Sequence, residues 1–151
     1  NRLAKEAMML AATQGGIAFA NASVTLIHGM SRPIGALFHV PHGLSNAMLL
    51  AEVTAWSVDC APERYAHCAR YMGIASASQN DQIACASLVD ALRLLATDLQ
   101  VPGPKAFGIS RDDWFNSLEL MATQALDSGS PANNPRVPQA QDIVQLYQRI
   151  W

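Results

Sequence analysis

The chain has 151 residues, of which half are hydrophobic and 15% are charged, and its formal net charge is −2. Its ten Lys and Arg residues form no basic run, which argues against a nucleic-acid surface, and no apolar stretch is long enough to span a bilayer. A chain of this length can bury one core, and its low charged fraction, against roughly 25% in typical domains, indicates apolar surface that another domain or subunit covers.

The first segment with a clear pattern is NRLAKEAMMLAATQGG, where apolar residues three to four apart predict a helix over residues 2–14. Glu6 inside the apolar run argues against a signal peptide. Residues 15–29 are rich in Gly, Ala and Ser, which predicts a helix pressed closely on its neighbours. A short apolar turn is expected after Pro33.

The rest of the chain also shows helical spacing, and no run of alternating residues predicts a strand. Prolines and capping residues mark the helix starts. The chain is therefore predicted to be a single all-α domain over residues 1–151, an irregular bundle of about six or seven helices. The later helices are expected from Pro41 to Val58, from Pro62 to Gly73, from Asp81 to Leu99, from Ser110 to Leu126 and from Gln139 to Trp151.

Three cysteines, Cys60, Cys68 and Cys85, occur without a CxxC pair. An odd number of thiols without a secretory signal favours a reducing compartment, and we expect a cytoplasmic protein whose cysteines are small packing residues.

Chemistry is concentrated in the segment LIHGMSRPIGALFHVPHG, residues 26–43, which holds three of the four histidines. No glycine-rich phosphate loop, GxSxG elbow or HExxH motif is present in the chain. His28 and His42 flank a proline-containing turn, so two helix ends could bring both imidazoles to one metal ion. The alternative is that these histidines end helices and bond to backbone carbonyls, and their spacing leaves both interpretations open.

Two further features are weaker indications of a functional site. Glu63 and His67 lie four residues apart and share a helix face, but an acid in the first turn is also favoured by the helix dipole. The loop GSPANNPR, residues 129–136, is predicted to cap helix ends or to line a cleft.

The order of these features resembles the C-terminal, helical domain of the iron-containing (group III) alcohol dehydrogenases. The run AFANASVTLIHGMSRPIGALFHVPHGLSNAMLL has that family's small-residue helix, His-Gly, Pro-x-Gly turn and Pro-His-Gly, at the family's spacing. The stretches RYAHCARYMG and NNPRVPQAQDIVQLYQRIW extend the resemblance to the end of the chain.

The resemblance implies a metal-dependent alcohol dehydrogenase that acts on primary alcohols or aldehydes. In that family an N-terminal α/β domain binds NAD or NADP, and an Asp and three His hold one Fe²⁺ or Zn²⁺ between the domains. Two of those histidines match His28 and His42. The Asp-x-x-x-His pair that supplies the other two ligands would precede Asn1, and this chain contains no such motif.

We therefore expect a C-terminal domain fragment without its nucleotide-binding domain, inactive alone and part of a homo-oligomer when complete. One alternative is a non-enzymatic helical interaction module with structural histidines. Another is a dehydroquinate synthase-like or glycerol dehydrogenase-like branch, which the Pro-His-Gly block and the NNPR tail fit less well.

The resemblance also draws attention to three residues near the histidine pair. Phe19 matches a family position beside the substrate and nicotinamide pocket, although a core aromatic is an equal interpretation. Many members carry a third histidine at the position of Arg32. We expect Arg32 instead to contact an anion, either a substrate carboxylate or a cofactor phosphate, or to pair with an acid across the domain interface. His39 has no ligand role and is expected to pack behind the turn or to contact substrate.

Overall fold

The computed structural model describes residues 1–151 and contains only helices and turns, which confirms the all-α prediction. It has nine α-helices, more than expected, because the segment predicted over 110–126 divides at Ser117 and residues 104–107 form a separate short helix. The helices are α1 Arg2–Ala22, α2 Leu26–Phe38, α3 His42–Ser57, α4 Pro62–Tyr71, α5 Asp81–Asp98, α6 Pro104–Phe107, α7 Arg111–Asn116, α8 Leu118–Asp127 and α9 Ala140–Arg149.

Local capping signals set several helix starts. Pro62 occupies the first turn of α4, where its missing N–H costs nothing. The Asn80 side chain accepts from the N–H of Ile83 at 2.9 Å, and Ser110 Oγ accepts from the N–H of Asp113 at 3.1 Å. Each satisfies a donor that the first helical turn leaves unpaired.

The main core lies between α2, α3, α8 and α9, with α7 closing one side. Trp114 is fully buried in this core, and its indole N–H donates to the carbonyl of Tyr147 at 3.3 Å. The rings of Tyr147 and Trp151 pack against it at 5.8 and 5.9 Å between centroids. A smaller core between α4 and α5 buries Ala66, Ala84 and Leu88.

α1 stands apart from both cores, and none of its 21 residues is buried. The axes of α1 and α2 meet at 108°, and at the bend Ser23 takes a left-handed φ of 64°. The close packing expected over residues 15–29 does not occur on α1, where Gly15 and Gly16 face open space, but it does occur at Gly29 of α2, where an added Cβ would lie 2.8 Å from Pro131 Cγ. No single helix has the length and hydropathy of a membrane span; α1 and α2 reach that threshold only when counted together across the bend.

α2 continues through Pro33, so the turn predicted there is wrong. Leu26, Met30 and Ile34 are fully buried on one face of α2. Burial of that face outweighs the backbone hydrogen bond that Pro33 cannot make. The helix ends instead at His39, which takes a left-handed φ of 55°.

Candidate metal site

The turn between α2 and α3 returns the chain toward α2. The carbonyl oxygen of Val40 would lie only 3.3 Å from a Cβ at position 35, so Gly35 permits the turn to run close against the helix. Pro41 then adopts a φ of −54° and a ψ of 137°, and α3 begins at His42. A compact turn of residues 39–41 thus lies between two helices that pack directly on each other.

This arrangement brings the rings of His28 and His42 together, with 5.2 Å between their centroids and 56° between their planes. Neither ring bonds to a backbone carbonyl, which removes the simplest structural explanation for the pair. The backbones of both residues are held in the same way. Ser31 Oγ donates to the carbonyl of His28 at 3.2 Å, and Ser45 Oγ donates to the carbonyl of His42 at 3.0 Å.

The environment of His28 favours the neutral imidazole. Burial lowers the pKa of His28 below its usual value, and the positive charges of His42 and Arg32 lower it further. A neutral imidazole keeps a free lone pair near neutral pH, which is the form that binds a metal ion.

Asn46, one turn along α3, holds the ring of His42. Its side-chain nitrogen lies 3.1 Å from His42 Nε2 and donates to the His42 carbonyl at 2.8 Å. The Asn46 Oδ1 atom is buried and has no hydrogen-bond partner. The side-chain amide of Asn46 is therefore only partly satisfied. A ligand that took the place of Asn46 at His42 Nε2 would break a hydrogen bond of a side chain that already lacks one partner.

An open pocket of about 350 Å³ lies beside the two rings, lined by Phe19, Val24, His28, Arg32 and His42. Phe19 reaches it from the last turn of α1, with 57% of its surface exposed, so it is a pocket wall and not a core aromatic within this chain. Arg32 lies one turn after His28 on the same face of α2 and is also exposed. The acid partner considered for Arg32 is not supplied by this chain, in which Arg32 forms no ion pair.

The loop 129–136 positions the start of α2, whereas its sequence predicts only that it caps helix ends or lines a cleft. Asn133 Nδ2 donates to the carbonyl of Val24 at 3.0 Å, at the bend before α2. Pro131 packs against Gly29, where an added Cβ would lie 2.8 Å from Pro131 Cγ. A distant loop thus supports the first turns of α2, the helix that carries His28. No local sequence signal identifies Pro131 and Gly29 as contact partners.

Other candidate residues lie apart from the pair. His39 is exposed at the end of α2 and lines neither pocket next to His28, so the expected packing behind the turn does not occur. Glu63 and His67 are both exposed on α4. No group of three or more His, Cys, Asp or Glu side chains is placed to hold a metal ion. His28 and His42 are thus two nitrogen donors that lie together without a third His, Cys, Asp or Glu beside them.

Comparison with known proteins identifies the family of this chain. The Fe-containing alcohol dehydrogenase family, C-terminal region, matches residues 1–151. The chain belongs to the Fe-containing alcohol dehydrogenase family. Lactaldehyde reductase of Escherichia coli (strain K12) is 34% identical over 149 residues, which is 98% of this chain and 38% of that protein. The NADPH-dependent butanol dehydrogenase of Clostridium saccharobutylicum is 28% identical over 149 residues, again 38% of that protein.

Solved structures of Fe-containing alcohol dehydrogenases share the helical fold. A 1,3-propanediol oxidoreductase superposes with a TM-score of 0.82 at 28% identity, covering 90% of this chain and 35% of that one. The alcohol dehydrogenase from Oenococcus oeni superposes with a TM-score of 0.80 at 31% identity, with the same coverage. The chain thus spans less than two fifths of the length of these relatives and solved structures.

Proposed function

We propose that this chain is the metal-binding domain of an NAD(P)-dependent alcohol dehydrogenase that oxidises primary alcohols or reduces aldehydes. The observation that carries the proposal is the convergence of His28 and His42 beside an open pocket. Family membership and the names of the relatives support the reaction class, and those names include both NADPH-dependent and NAD-dependent dehydrogenases.

The spacing of the two rings fits a shared metal ion. Two imidazoles that each bind one ion at roughly 2.1 Å, with a ligand angle of about 90–110°, place their ring centroids ~4.6–5.3 Å apart. The observed separation is 5.2 Å. Neutral nitrogen donors suit Fe²⁺ and Zn²⁺ alike, so the donor set fits either ion.

The residues of this chain would have separate roles. His28 and His42 would hold the metal, and Asn46, whose side-chain nitrogen lies 3.1 Å from His42 Nε2, orients the His42 ring. When bound, the metal supplies Lewis acidity toward the substrate oxygen and the nicotinamide cofactor supplies hydride chemistry. Phe19 and Val24 form an apolar wall on one side of the pocket.

The nucleotide cofactor requires a second domain, which we propose precedes this chain in the natural protein. On α1, Leu3, Leu10 and Ile17 lie seven residues apart and share one face of the helix, and each is exposed by more than half of its surface. Such a face is what a preceding domain would cover.

Leu94, Leu95 and Leu99 on and after α5 form a second exposed apolar group, which supports the inference of a homo-oligomer. The free cysteines support a reducing, cytoplasmic location.

The experiment is made on the natural protein that contains these residues. His28→Ala and His42→Ala are compared with His67→Ala, an exposed histidine on α4 that lies outside the site. Metal content is measured by inductively coupled plasma mass spectrometry after dialysis, and activity by oxidation of NADH and NADPH with a panel of aldehydes. We expect the first two variants to lose bound metal and at least about 100-fold in activity, because each removes one ligand of a shared ion.

Full metal content in His28→Ala and His42→Ala would refute the assignment of the ligands. A wild-type protein with no metal and no turnover on the whole panel would favour the helical interaction module instead.

A further inference from the structure

Arg32 is the one charged side chain that lines the pocket beside the histidine pair, where the other four lining residues are Phe19, Val24, His28 and His42. The larger apolar pocket next to it, of about 550 Å³, is lined by Ala, Gly, Ser, Thr, Asn, His and aliphatic residues together with Phe19, and includes no acid. The fixed charge facing a molecule in this region is therefore positive.

The guanidinium of Arg32 is free within the chain. Arg70 and Arg93 pair with acids, and Arg136 lies over the ring of Trp56, 4.1 Å from its centroid. Arg32 makes no ion pair, no hydrogen bond and no cation–π contact. A side chain with five donors in a fixed planar fork, held at the edge of a pocket and without a partner, matches a carboxylate better than any neutral group.

Arg32 and His28 line the same pocket. The two residues are four apart on α2, so their backbones are separated by about 6 Å along the helix axis. A substrate whose oxygen lies at the histidine pair can therefore reach Arg32 with a group only a few bonds away.

We propose that Arg32 is a specificity-determining residue that binds the carboxylate of a short oxo acid or hydroxy acid, so that the preferred substrate is a carboxylate-bearing aldehyde or alcohol of about three to five carbons. The proposal rests on the proposed dehydrogenase function. Charge-assisted, bidentate hydrogen bonds from Arg to a carboxylate are about twice as strong as neutral ones. A site built around such a bond discriminates strongly against an analogue that lacks the group.

The test compares 4-oxobutanoate with butanal, which has the same chain length and no charge. kcat/KM is measured for both in the natural protein, in Arg32→Met, in Arg32→Lys and in the control Arg64→Met, an exposed arginine on α4 outside the pocket. We expect wild type and Arg64→Met to prefer 4-oxobutanoate. The ratio of the two kcat/KM values should fall about 10- to 100-fold in Arg32→Met, with partial recovery in Arg32→Lys because the charge returns without the fork.

A second readout is independent of turnover. Binding of butanoate and of its neutral analogue butanamide is measured on the natural protein by ligand-detected NMR. Butanoate should bind to wild type and Arg64→Met more strongly than butanamide does, and this preference should disappear in Arg32→Met.

The outcomes separate the inference from the function on which it rests. Turnover of both aldehydes with no preference for 4-oxobutanoate, or a preference that survives in Arg32→Met, overturns the role of Arg32 and leaves the dehydrogenase intact. A rise of the KM for the nucleotide alone in Arg32→Met, with the aldehyde ratio unchanged, also overturns it and assigns Arg32 to a cofactor phosphate. No turnover of any aldehyde overturns the proposed function itself.

Discussion

Tyr147 of α9 donates a hydrogen bond of 2.7 Å to the backbone carbonyl of Met30, two residues after His28. Both residues are fully buried, so the last helix of the chain is tied to the helix that carries the first histidine. The bond joins residues 117 positions apart and makes the geometry of the pair depend on the complete bundle.

Replacing Tyr147 should therefore change both stability and its pH dependence. Burial raises the pKa of Tyr147 far above its usual value near 10, so above that pH the native state keeps a proton that the unfolded state loses. The free energy of unfolding should then fall with rising pH, by up to about 1.4 kcal/mol per pH unit from this residue. In Tyr147→Phe this part of the slope should vanish, and stability at pH 7 should drop by about 1 kcal/mol for the lost hydrogen bond.

Urea unfolding between pH 7 and 11 measures both effects. Tyr71→Phe is the matched control, because Tyr71 is 91% exposed and should leave the slope as in wild type. An alkaline slope that is unchanged in Tyr147→Phe would contradict the buried, protonated state of this side chain.

The contact between Gly29 and Pro131 leads to a prediction about packing. In Gly29→Ala the new Cβ would meet the rigid Pro131 ring at 2.8 Å, so α2 or the loop must shift. We expect a loss of about 1–3 kcal/mol of stability, as for other overpacked sites. Gly43→Ala is the control, since nothing lies within 4 Å of a Cβ there. It should be neutral or slightly stabilising because alanine favours the helix. Equal urea midpoints for the two variants would disprove the close contact.

The 151-residue chain alone should bind divalent metal weakly and should not oxidise alcohols. Two imidazoles beside an open pocket supply only part of a shell, so we expect micromolar or weaker affinity for Co²⁺ in a spectroscopic titration. His28→Ala and His42→Ala should each abolish the signal, and His67→Ala should not. Turnover of an alcohol with NAD by this chain would contradict the need for a second domain.

α1 should be the least protected helix of this chain. A helix of 21 residues with no buried side chain lacks the tertiary packing that stabilises most helices, so its amides should exchange quickly with deuterium. The amides of α2 and α9 should exchange slowly, as both helices contribute buried residues to the main core. In the longer natural protein α1 should become protected. Fast exchange of α1 in both proteins would argue that no preceding domain covers it.

The starts of α4, α5, α7 and α9 were predicted to within about one residue because their signals are local, whereas α6 and the start of α8 were not predicted. Asn80 and Ser110 cap the helices that follow them through their own side chains, within three residues along the sequence. The end of α5 was harder to predict. The apolar stripe of Ala84, Leu88 and Leu92 is buried as expected, but Leu95 and Leu99 are 45% and 68% exposed because no element of this chain covers them.

The region around the histidines was predicted less well because its structure depends on distant contacts. Ser23 has no glycine or proline beside it to indicate the bend, and Pro33 indicates an ending that the core overrides. Tyr147 and Pro131, which hold α2 in place, are more than 100 residues away in the sequence. The sequence predicts that His28 and His42 meet at one site, but it does not predict the distant contacts that hold α2 there.

The short turn at residues 39–41 also affects the order of assembly. Only thirteen residues separate His28 from His42, so closing that loop costs little chain entropy compared with joining segments from different domains. Contacts so near in sequence form early in folding. The two imidazoles can therefore be brought together by contacts local to this chain, early in folding, without help from any distant segment of the natural protein.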